Sequence, residues 1–102
     1  MTTNRSFDFD LIFDMDRAFF TLVYQCNQEV IGTANDGSIL IDNRATLIRA
    51  TKLTSESERV WHYGDNRPTW LLKFFDDHCD TVESRIRELL NKRAEKEFSN
   101  AS

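Results

Sequence analysis

Four carboxylates crowd one short stretch of the chain, Phe7-Asp8-Phe9-Asp10-Leu11-Ile12-Phe13-Asp14-Met15-Asp16. Carboxylates can ligate a divalent cation, exchange protons with a substrate, or offer negative charge to a cationic partner. The alternation decides how they point. In a β-strand side chains switch faces at each residue, so Phe7, Phe9, Leu11, Phe13 and Met15 share one face, and Asp8, Asp10, Asp14 and Asp16 share the other with Ile12. Alternate residues lie about 6.8 Å apart, and such a line wraps no single ion without ligands from elsewhere, so no metal is expected. The same spacing matches roughly two 3.4 Å phosphate steps of a nucleic-acid strand, so the row suits a protein's basic groove. It also suits an edge strand guarded from aggregation by its charge.

Leu11-Ile12-Phe13-Asp14-Met15-Asp16 resembles the first motif of haloacid-dehalogenase-type phosphatases. In that family an apolar strand delivers a nucleophilic Asp and, two residues on, an acid/base Asp. The resemblance implies an enzyme or metal protein working through Asp14 and Asp16. It covers six residues and stops at Arg17 and Ala18, where the family usually has Gly and Thr. The next segment reads as a strand, whereas a parallel α/β unit needs a helix there. The expectation is therefore no catalytic residue and no cofactor.

Asp76-Asp77-His78-Cys79-Asp80 gathers further carboxylates, but helical spacing sends them to different faces. Arg59, Trp61 and Tyr63 alternate along another apparent strand and could stack the bases of a single-stranded RNA beside a phosphate-binding Arg. Trp61, Tyr63 and Trp70 fit equally as core residues or interface anchors.

Few residues punctuate the chain. Met15-Asp16-Arg17 is short enough for a tight connection from the acidic strand into Ala18–Cys26, which is rich in aromatic and β-branched residues. Asn35-Asp36-Gly37, between Glu29–Thr33 and Ser38–Ile41, suits a hairpin with Gly in the left-handed region. Residues 44–53 fit either a strand or a helix, with Leu47, Ile48 and the threonines favouring a strand, and Glu58–Tyr63 reads as the last strand. The period then changes. Asp65 or Asn66 can cap a helix with Pro68 in its first turn, followed at helical spacing by Leu71, Phe75, Cys79, Val82, Ile86, Leu89, Leu90 and Arg93. The predicted fold is α+β: an antiparallel meander of five or six strands over residues 7–63, covered by one long helix over about 67–97, with a disordered tail at 99–102, all in one domain. Such a helix is about 45 Å long, so its far end must overhang, bend or pack on another molecule, and Leu89, Leu90 and Phe98 are expected to bury in a homodimer.

A net charge of −4 argues against direct binding to nucleic acid or to an anionic membrane, because both need an excess of Lys and Arg. The N-terminus lacks a signal-peptide core, and Cys26 and Cys79 show neither metal-site nor disulfide spacing, so a reducing, cytoplasmic setting is expected. Together these features suggest a small acidic, non-enzymatic protein that binds a basic protein partner, as an inhibitor, immunity factor or regulatory adaptor. Its expected contacts are Asp8, Asp10, Asp14 and Asp16 on the strand and Asp76, Asp77 and Asp80 on the helix.

Overall fold

The alternating segment forms β1 (Asn4–Met15), which pairs along its length with β2 (Ala18–Thr33). The computed structural model describes residues 4–99, with side chains described for residues 6–93. β3 (Ile39–Leu53) and β4 (Glu58–His62) complete an antiparallel four-stranded sheet in the order β1-β2-β3-β4, and a single helix, α1 (Thr69–Ser99), follows. The fold is thus α+β. Two compact units are formed, Met1–Asp65 and Asn66–Ser102.

The sheet has four strands where five or six were expected. Asn27-Gln28 and Asp42-Asn43 look like polar breaks in the sequence, yet the ladder runs through both, as Asn27↔Arg44, Gln28↔Asn43 and Glu29↔Asp42. The Gln28 side-chain amide donates to Asn43 Oδ1 at 2.8 Å. The polar residues are thus paired inside a continuous ladder, and the apparent six strands merge into four.

On the inner face of this unit Leu11, Phe13, Phe20, Leu22, Tyr24, Cys26, Leu47, Ala50 and Trp61 are buried. Leu11 opposes Leu22, Leu22 opposes Ala50 and Ala50 opposes Trp61, so one apolar row crosses all four strands. The Phe9 ring stacks on Tyr24 with centroids 5.6 Å apart. Residues 44–53 are strand, and the reason they also read as helix is a bulge: Val23 pairs with Arg49 while Tyr24 pairs with Leu47, leaving Ile48 as the extra residue. That insertion puts Leu47 and Ala50 on the same face although they stand at the i, i+3 spacing of a helix.

The β1–β2 connection corrects one site residue. Asp16 and Arg17 adopt φ 54° and 60°, the two-residue loop with both φ positive that matches the twist of antiparallel strands. Asp16 therefore sits in the turn and not on the strand face. Arg17 holds a left-handed conformation that costs a side-chain-bearing residue roughly 1–2 kcal/mol. Arg17→Gly is expected to raise stability by about 0.5–1 kcal/mol after the entropy cost of Gly, read as an increase in the urea midpoint. At the other end, Gly37 has φ 89° and closes the Asn35-Asp36-Gly37 loop as expected, its N–H donating to Ala34 O at 3.0 Å. Asp36 accepts from the hydroxyl and the backbone N–H of Ser38, which hold its exposed carboxyl below the usual aspartate value.

Before α1, Asp65 is not a helix cap: its carboxylate accepts from His62 N at 3.0 Å, and its carbonyl takes the Trp61 indole N–H at 3.0 Å. In the first turn the N–H groups of Leu71 and Leu72 donate to Pro68 O. The helix starts at Thr69 and runs through Ser99, so residue 99 of the expected tail is helical and 100–102 lie outside the described residues. Its backbone breaks at His78 (φ −132°, ψ 16°), which divides it into 69–77 and 79–99. The long helix bends, one of the three outcomes its length allowed. No Pro or Gly lies inside it, and the His78 ring rests 5.0 Å from that of Phe74. Leu71, Phe74, Val82 and Leu90 are buried, whereas Phe75 and Ile86 are half-buried and Cys79 and Leu89 are exposed. Residues stepping by four drift about 40° per step around an α-helix, so this stripe winds and the break falls between its two parts. Glu88 and Lys92 form an i, i+4 pair at 2.9 Å, and the Lys92 ammonium holds the Glu88 carboxyl below its usual value.

Candidate functional site

The outer face of the sheet is assembled by register, and no single stretch of sequence contains it. Asp14 pairs with Phe19, Phe19 with Leu53 and Leu53 with Glu58. The next row on this face is Ile12, Thr21, Thr51 and Val60, and the one after it Asp10, the buried Val23, Arg49 and His62. Asp8 follows, opposite Gln25. Among these, Ile12 is 61% exposed, Phe19 51%, and Leu53 and Val60 44% each. Four large apolar side chains thus stand in solvent in two adjacent rows, spanning about 14 Å from β1 to β4 and about 7 Å along the strands. Scattered surface hydrophobics are ordinary, but a contiguous patch with a charged rim is the usual mark of an interaction surface.

Charge surrounds this patch unevenly. Asp8, Asp10 and Asp14 are exposed along the β1 side, Glu58 is exposed at the β4 corner, and Arg49 is the cation of the Asp10 row. Three carboxylates of the acidic row therefore share a face, as the alternation predicted, and Ile12 interrupts them.

The other sequence-derived residues do not join this face as a group. Asp76, Asp77 and Asp80 are exposed on α1, with Asp76 and Asp77 before the break and Asp80 after it. Trp61 is buried on the inner face with its indole N–H committed to Asp65 O, so its ring offers no free stacking platform beside the exposed Arg59 and Tyr63. Tyr63 lies past the end of β4, and its N–H donates to Ile48 O at 2.9 Å. Trp70 is half-buried, Leu90 is buried and Leu89 is exposed, while the Phe98 side chain lies outside the described residues. Phe19, Leu53 and Val60 are the residues that sequence reasoning missed. The available signal was the Phe19-Phe20 pair, since two adjacent aromatics on a strand cannot both face the core.

Among the described residues no group of three or more His, Cys, Asp or Glu side chains is placed to hold a metal ion. Asp14 stands exposed at the end of β1 and Asp16 in the turn, and the segment that follows them is an antiparallel strand. No described helix is long and apolar enough to cross a membrane. No family model matches the chain, and comparison with curated proteins and with solved structures found no match to it.

Proposed function

We propose that this chain is a non-enzymatic binding protein whose outer sheet face engages a protein partner that presents apolar side chains bordered by Lys or Arg. The observation that carries this reading is the exposed cluster Ile12, Phe19, Leu53 and Val60, set in cross-strand register beside Asp8, Asp10 and Asp14. Burying the cluster supplies affinity, and the carboxylates steer a basic partner and fix its orientation. Simple imitation of a nucleic-acid backbone is the weaker form of this idea, because Ile12 interrupts the row and Asp16 has left it.

A random peptide library selected on the immobilised protein tests the reading without knowledge of the partner. Sequences combining Lys or Arg with Leu, Ile or Phe are expected to be enriched, and to lose binding to Phe19→Ser. Failure to enrich such peptides, or equal binding to Phe19→Ser, would overturn it.

A further inference from the structure

The sheet has a second open element, independent of the outer face. β3 pairs with β2 along its whole length, but β4 covers only Arg49–Leu53 of its other side. The Tyr63 N–H donates to the carbonyl of Ile48, and beyond that point no described strand pairs with the side of residues 39–47 that faces away from β2. Asn43, Arg44, Ala45 and Thr46 are exposed along this stretch. An open edge is a template for another strand, and proteins normally guard it with charges that repel a second copy. β1 is guarded in that sense: antiparallel pairing with itself would gather the Asp8, Asp10 and Asp14 carboxylates of two copies on one face. The β3 edge is not. It carries one acid and one base, Asp42 and Arg44, two residues apart on the same face and already joined within the strand at 3.1 Å.

From this we infer that the open edge of β3 pairs antiparallel with the β3 edge of a second copy of the chain, about a two-fold axis at Asn43. That register sets Asp42 opposite the partner's Arg44 and Arg44 opposite the partner's Asp42. On the other face Ile41 meets the partner's Ala45, and Ile39 meets the partner's Leu47. The charge pattern is self-complementary under a two-fold operation, as an isologous dimer requires. The pairing ends at Leu47, just short of Ile48, whose carbonyl is already occupied. It continues the two sheets into one and leaves both outer faces on the same side.

Charge exchange tests the pairing by sedimentation equilibrium on the full chain. The wild type is expected to approach twice the 12.0 kDa chain mass in the micromolar range. Asp42→Arg and Arg44→Asp each set like charges opposite one another, so each alone should weaken the dimer by more than about a hundredfold. Mixing the two variants should restore a dimer of one copy of each, and so should the double exchange D42R/R44D in one chain. A wild type that stays monomeric at high micromolar concentration overturns the inference. So does a dimer that either single variant leaves intact. Should a single variant fail to fold, the double exchange carries the test, with a retained dimer expected and a monomer overturning it.

Discussion

Leu11→Ala should cost about 3–5 kcal/mol of stability, whereas Ile12→Ala, one residue along, should cost less than about 1 kcal/mol. The contrast follows from the alternation of β1. Leu11 is buried at the centre of the inner apolar row, against Leu22, and truncating it leaves a cavity among side chains that cannot close around it. Ile12 stands 61% exposed on the opposite face, so its removal sacrifices little beyond strand propensity. Urea unfolding of the two variants measures the difference. Peptide binding should rank them the other way, with Ile12→Ala losing affinity for any ligand of the outer face. Equal stability losses at the two positions would mean that the faces of β1 are not distinct in solution.

Much of this arrangement can be read from local sequence, and the rest fails for identifiable reasons. A strand's period of two and the Asn-Asp-Gly loop are properties of a few neighbouring residues, which is why the faces of β1 and the β2–β3 hairpin are correctly anticipated. Strand number is different. Whether Asn27-Gln28 ends a strand depends on Asn43 lying opposite it, and that pairing is a long-range fact. The bulge at Ile48 makes a strand look partly helical, because it brings together residues at i, i+3 that a regular pleat would separate. In α1 the helical period is plain, but the break at His78 changes which neighbour is buried, so Phe74 takes the place expected for Phe75. The outer face was the least legible feature. Ile12, Phe19, Leu53 and Val60 belong to four strands, and only the register of three separate ladders makes them adjacent.

Replacing Asp8, Asp10 and Asp14 together by Asn should leave the fold intact, or stabilise it by a few tenths of a kcal/mol, while slowing association with a basic ligand at least about tenfold at low salt. The three carboxylates stand exposed on one face, two of them at adjacent outward positions, so their mutual repulsion is a cost that the sheet bears without return from packing. Removing them also takes away most of the chain's net charge of −4, which is what draws a cation in from a distance. Contact among the apolar side chains is unaffected, so dissociation should change less than association. Added salt should slow the wild type towards the variant, because screening at about 0.15 M already limits exposed charges to a range near 8 Å. The measurement is stopped-flow binding of a peptide selected on the outer face, run across a salt series with both proteins. If the variant associates as fast as the wild type at low salt, the row does no steering. Its remaining role would be to keep β1 from pairing with itself, and the variant's tendency to aggregate through that edge would then be the property to measure.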